Sequence, residues 1–226
     1  MTTLSEKVTH TLRNWILGGR FLPGQRIEEI PMAEQLCVSR TPIRAALAAL
    51  ANEGLIDYQP KRGYTVRSFD LEDVMAAYQV RSVLEGLACR TAASKGLSDE
   101  QVHALQTCLA QGDEILSKMK LLPEDHAPYQ AMNAKLHSIF IEAANNPWLK
   151  RFTHQTQQIP YASDWFVLWD VEHAIIQHSH EDHHRIVKAV IEKDPYRADI
   201  LMSEHVYYAS VIMKNHYAKL IEKNIN

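Results

Sequence analysis

Strand-like sequence occurs at one place in this chain, directly behind three short helical segments. Leu55-Ile56-Asp57-Tyr58 and Tyr64-Thr65-Val66-Arg67 are rich in β-branched and aromatic residues and flank the turn sequence Pro60-Lys61-Arg62-Gly63. They predict a β-hairpin with a basic tip. Upstream, Thr3-x-x-Glu6 is a capping box ahead of Leu4, Val8, Leu12, Trp15 and Ile16 at helical spacing, a helix that should stop near Gly18-Gly19. Phe21-Leu22-Pro23-Gly24 is a turn, and Pro31 sits near the start of a second helix carrying Met32, Ala33 and Leu36.

After a tight turn at Cys37-Val38 the third helix begins. Ser39 is placed to cap it by accepting a hydrogen bond from a first-turn N–H, and Glu53-Gly54 ends it. Ile43, Ala46, Leu47 and Leu50 form one apolar stripe, while Arg40 and Arg44, four apart, share another face with Thr41. A short helix buried on one side and presenting two guanidinium groups near its N-terminus suits a DNA major groove, where Arg donates a bidentate pair to guanine. Three helices and a basic hairpin in this order describe a winged helix-turn-helix over residues 1–67.

A net charge of −3 looks wrong for a DNA partner until the chain is divided. Residues 1–66 hold eight Lys/Arg against six Asp/Glu; residues 67–226 hold sixteen against twenty-one, and eleven of the twelve histidines. Only the first segment has the sign that phosphate contact needs. Cys37, Cys89 and Cys108 lack metal-type spacing and read as reduced thiols. No apolar run approaches the ~18–20 residues of a membrane span and no signal-peptide core is present, so the expectation is a cytoplasmic protein.

Residues 68–226 read as helical throughout. Asp70 caps a helix to about Ala93 with Val74, Tyr78, Leu84 and Leu87 inward, and Ser98-x-x-Gln101 is a second capping box, opening a helix to about Lys118. Leu121–Asp125 is a connector, and helical patterning runs from near Pro128 to Ala144. Asn146-Pro147 and Asp194-Pro195 each place a cap before a proline, opening helices over roughly 147–160 and 195–222. A further helix occupies much of 165–193, with Trp165–Trp169 as a bend or separate piece. The fold expected is mainly α, an N-terminal winged head followed by an antiparallel bundle of six or seven helices.

The head resembles the GntR superfamily of bacterial transcription regulators. The matching residues are Leu22-Pro23-Gly24-x-x-Ile27, Leu36-x-Val38-Ser39-Arg40-Thr41-Pro42-Ile43-Arg44-x-Ala46-Leu47, Glu53-Gly54-Leu55-Ile56 and Arg62-Gly63-x-x-Val66. The resemblance implies DNA contact by Arg40, Thr41 and Arg44 and, in the wing, by Arg62 and Gly63. The family usually has Gly where this chain has Cys37; a positive φ there would hold Cys at a cost in strain.

Residues 68–226 are similar to the FCD effector domain of the FadR subfamily, in its six-helix, VanR-type branch. The residues concerned are Tyr78-x-x-Arg81-x-x-Leu84-Glu85, Asn133-x-x-x-His137, His183-x-x-Ile186-Val187-x-Ala189-Val190 with Asp194, and His205. The resemblance implies a divalent metal, Zn or Ni, at Asn133, His137, His183 and His205, with His184 the alternative to His183. Positions 133 and 137 are one turn apart, and His183 and His205 each lie eleven residues from Asp194, so antiparallel helices would bring them level.

Asn133 replaces the family's aspartate. That should lower metal affinity and leave more positive charge for an anionic effector, with Arg81 the natural partner of its carboxylate. His103, His126, His173, His178, His180 and His216 read as surface residues, and Tyr207, Tyr208, Trp165 and Trp169 as core or pocket wall.

The function implied is a ligand-responsive regulator, a repressor, binding operator DNA as a homodimer and an organic acid in its bundle. Two alternatives are a metal-dependent enzyme with a DNA-binding head, which lacks a general base or nucleophile beside the ligands, and a regulator whose bundle only dimerises.

Overall fold

The computed structural model describes residues 3–17, 20–21, 24–118, 121–159, 161–163, 166–169 and 171–225. The readings at Gly18-Gly19, Leu22-Pro23 and Trp165 lie outside them. The chain divides into two compact units, one built mainly from residues 1–72 and the other from 73–157 and 161–216.

The first unit contains α1 (Leu4–Leu17), β1 (Arg26–Ile27), α2 (Glu29–Gln35), α3 (Arg40–Asn52), β2 (Ile56–Gln59) and β3 (Gly63–Val66). The Thr3/Glu6 capping box forms in both directions, at 2.7 and 3.2 Å. Ser39 occupies the N-cap of α3 with extended backbone, but its side chain makes no cap hydrogen bond; the expected hydroxyl cap is absent. Ile43, Ala46, Leu47 and Leu50 are fully buried against Leu12, Leu55 and Ile56, so the apolar stripe of α3 is the centre of this core. Gly54 takes φ +80° just past the helix, as a C-terminal stop requires.

The hairpin forms with Tyr58 opposite Tyr64 and Gln59 opposite Gly63. The two-residue strand β1, too short to show in the sequence, pairs antiparallel with β3 and completes a sheet of order β1-β3-β2.

The second unit is helical among the described residues: α4 (Leu71–Lys95), α5 (Asp99–Leu116), α6 (Pro123–Ala143), α7 (Pro147–Thr156), α8 (His173–Ile191) and α9 (Pro195–Ile225). The caps at Ser98, Asn146 and Asp194 form as expected. Helix α6 starts about five residues before the expected Pro128, because Pro123 takes its first position and Asp125 accepts the Leu122 N–H at 2.9 Å. Pro128 lies inside the helix.

Other expectations are corrected. Helix α4 turns Arg81, Glu85, Ala88 and Cys89 inward, leaving Leu84 half-buried and Leu87 exposed. Tyr207 and Tyr208 are exposed rather than core. His180, read as a surface residue, is buried, because Gly112 of α5 leaves room for its ring.

Candidate functional site

In the first unit the side chains of Arg40, Thr41, Arg44 and Arg62 are exposed. Arg40 Nη2 and Arg44 Nε both donate to one oxygen, Glu29 Oε2, at 2.9 and 2.7 Å. Glu29 from α2 therefore ties together the two guanidinium groups that α3 presents one turn apart. Its carboxyl is held below the usual range, first by the hydrogen bond from Arg40 and, against a desolvation penalty, by that from Arg44. At the wing tip Lys61 and Gly63 have φ of +68° and +84°, which projects Lys61 and Arg62 from the turn. Lys61, with Arg26, Arg40 and Arg44, edges one concave face of the head.

In the second unit four helices converge. Tyr78, Arg81 and Glu85 share a face of α4; Tyr129, Asn133 and His137, spaced by four, share a face of α6; α8 adds His183 and α9 adds His205. The donor nitrogens of His137, His183 and His205 lie within 4.8 Å of one another, and all three residues are buried. His183 Nε2 and His205 Nε2 are 3.2 Å apart. His184 instead faces Asp113, away from this cluster. Asn133, Arg81 and His205 line one cavity of about 90 Å³ with Tyr78 and Tyr129.

The electrostatics favour neutral imidazoles at His183 and His205. Burial, followed by the neighbouring histidines, drives His183 well below its ordinary pKa. Burial also lowers His205, although Asp182 pulls the other way from 3.9 Å. His137 Nδ1 lies 2.6 Å from Glu85 Oε2, so the ring meets an ion through Nε2. Glu85 Oε1 accepts from Arg81 Nε at 2.7 Å, and Arg81 Nη1 donates to Ala162 O. Burial alone would raise the Glu85 carboxyl; Arg81 and His137 outweigh it and hold Glu85 ionised.

This donor set fits a divalent transition metal. Among the described residues, the Nδ1 atoms of His183 and His205 are buried without a hydrogen-bond partner, while their Nε2 atoms face each other. Two imidazoles share only one proton well across such a contact; a cation satisfies both lone pairs.

Glu29 carries no mark in the sequence, and Glu85 appears there only as a motif residue without a role. An acidic residue four positions after Arg81 was the available signal for Glu85, but on a helix that spacing ordinarily marks a solvated pair.

Residues 4–66 match the model of the bacterial regulatory proteins, gntR family, and residues 76–207 match that of the FCD domain. The HTH-type transcriptional regulator YdhC of Bacillus subtilis is 26% identical over 148 residues, 66% of this chain and 64% of that protein, short of two thirds of its length. A probable D-xylose utilization operon transcriptional repressor of Paenarthrobacter nicotinovorans is 28% identical over 215 residues, 91% of this chain and 86% of that one. The solved structure of E. coli McbR/YncC is similar in fold, with TM-score 0.75 at 22% identity over 96% of this chain and 100% of that one.

Proposed function

The chain belongs to the gntR family of bacterial regulatory proteins and carries an FCD domain, and from that premise we propose that it is a metabolite-responsive repressor of transcription. The family consists of transcriptional regulators, not enzymes, and the gntR head implies DNA binding. The finer reading is that Arg40, Thr41 and Arg44 enter the major groove while Arg62 and Gly63 at the wing meet the backbone, in the cytoplasm. The bundle takes a small organic acid.

The observation that carries the effector reading is the convergence of His137, His183 and His205, the last of which lines a cavity together with Arg81 and Asn133. A divalent ion held by the three histidines with Asn133 would offer positions to an anionic ligand. Around it the protein supplies three things. Glu85 fixes the His137 ring through Nδ1. Arg81, held by Glu85 and the Ala162 carbonyl, puts a positive charge in the cavity wall. Asn133 contributes an amide oxygen in place of a carboxylate, so no ligand anion offsets the ion's charge and an effector carboxylate is favoured. To switch the operator, that acid must bind one arrangement of the DNA-bound and free protein better than the other.

Two heads on a pseudo-palindrome require a homodimer. Support comes from exposed apolar residues in stripes, Val80, Val83 and Leu87 on α4 and Tyr196, Ile200 and Tyr207 on α9. The two helices pack together through Ser203 Oγ, which donates to Ser82 O at 3.0 Å.

A thermal-shift screen of small carboxylates and sugar acids, with and without Zn or Ni, followed by operator-binding titrations, tests the proposal. Stabilisation by an acid that also changes operator affinity is expected. If no acid does either, the bundle senses nothing and only dimerises. If the protein retains no stoichiometric ion after mild purification and gains no stability from Zn or Ni, the metal is wrong.

A further inference from the structure

Helix α8 carries a second pair of imidazoles that the effector reading leaves unused. His180 and His184 are one turn apart and point together toward α5. Their Nε2 atoms reach the same oxygen, Asp113 Oδ1, at 3.1 and 2.9 Å. The three donor atoms lie within 4.8 Å of one another. His180 Nε2 also lies 3.2 Å from Leu109 O, so in the protein without metal its proton is shared between a backbone carbonyl and the Asp113 carboxylate.

The placement of His180 is built into the helix packing. Position 112 is glycine, and a Cβ there would stand 2.1 Å from the ring's Cε1. The ring is therefore seated against the α5 backbone, buried, while His184 and Asp113 reach the same point from the surface with side chains 44% and 56% exposed. Burial lowers the pKa of His180, with the neighbouring His184 acting the same way and Asp113 opposing. Burial thus favours the neutral ring, which keeps one lone pair.

We propose that Asp113, His180 and His184 form a second divalent-metal site, distinct from the cluster of His137, His183 and His205. Two imidazoles and one carboxylate suit Zn, Ni or Co, with the remaining positions open to water from the exposed side. Binding takes the Nε2 lone pair of His180, so the ring proton now shared there moves to Nδ1, and uptake weakens in acid, where protonated imidazoles have no lone pair to give. The ion would join α5 to α8 one residue from His183, and the His180 and His183 rings stand 5.7 Å apart between centroids. Metal at the outer site would thus restrain the helix that supplies a ligand to the inner one.

Titration of the full-length protein with Zn against a chromophoric chelator reads both sites. The wild type should take two equivalents, and His184→Ala and Asp113→Asn should each lose one, or bind it at least 10-fold more weakly. Both residues are exposed, and circular dichroism checks that the variants stay folded. His137→Ala should keep the equivalent that His184→Ala loses. A wild type with one equivalent, abolished by His184→Ala and untouched by His137→Ala, leaves this site standing and removes the inner one. Undiminished Zn uptake by both His184→Ala and Asp113→Asn overturns the proposal, as does a His137→Ala protein that takes up no Zn.

Discussion

Cys37 adopts φ +53°, in the left-handed region that costs a residue with a Cβ roughly 1–2 kcal/mol. Its carbonyl neighbours fix the turn: Cys37 N donates to Glu34 O at 3.2 Å and Val38 N to Ala33 O at 3.0 Å. Cys37→Gly should therefore stabilise the protein by about 0.5–1 kcal/mol, the relief being partly offset by glycine's greater freedom when unfolded. A denaturant melt that moves to higher midpoint with unchanged slope is the expected reading. Glu85 poses the opposite case. It is buried between Arg81 and His137, so Glu85→Gln leaves a buried guanidinium uncompensated and should destabilise by about 3–5 kcal/mol. The amide also no longer holds His137 as a carboxylate does, so Zn affinity, measured well below the variant's melting midpoint, should fall about 10–100-fold. Unchanged affinity would separate Glu85 from the proposed metal site.

At the scale of elements, α3 is held ready by α2. Glu29 clamps Arg40 and Arg44 in the free head, and these pairs lie at the surface, where each is worth about 0.2–1 kcal/mol. Removing the charge has two effects. Glu29→Gln deletes a repulsion with phosphate, so binding to random DNA should tighten about 2–5-fold, in line with that energy. It also frees the two guanidinium groups to sample other rotamers, so the ratio of operator to random affinity should fall; anisotropy titrations at matched salt read both. The clamp's stability contribution is complete above the ordinary carboxyl pKa of 4.5 and is lost as pH falls through the lowered folded value. Arg44→Ala should cost about 1–3 kcal/mol on operator and less on random DNA if it reads a base; equal losses make it a phosphate contact.

What sequence conveyed at this scale was short in range. The boxes at Thr3/Glu6 and Ser98/Gln101 and the caps at Asn146 and Asp194 each involve residues within three positions, and all formed. The start of α6 did not show, because proline at a first helical position and proline in a connector look alike. The inward face of α4 was misjudged for a different reason. Apolar Leu84 and Leu87 attract an inward assignment, whereas the buried face carries Arg81 and Glu85, which neutralise each other and His137, a residue fifty-two positions from Glu85. His180 likewise depends on a glycine in another helix. The histidines of the inner cluster were legible through their spacing about Asp194 and through family resemblance; the groups that balance them were not.

For the whole molecule, α4 carries an ion pair on its inner face and an apolar stripe on its outer one. The helix buries Arg81 and Glu85 yet keeps Val80, Val83 and Leu87 on its outside, with Val83 67% exposed. On α9, Tyr196, Ile200, Tyr207 and Val211 recur at helical spacing and also face out, Tyr207 at 67%. Scattered exposed apolar residues are ordinary; two stripes on helices packed side by side are a surface that water leaves unsatisfied, and a second copy of the chain is the occupant that the proposed operator complex calls for. Val83→Asp puts a charge into that surface without touching the cavity or the proposed metal ligands. Sedimentation at micromolar concentration should show the wild type as a dimer and Val83→Asp shifted to monomer. Operator affinity should fall by far more than affinity for a single half-site, since a monomer reads one half. Zn uptake and melting of the variant should stay near wild type. A dimeric Val83→Asp protein would move the interface away from α4, and a monomeric wild type would remove the two-fold reading of the operator.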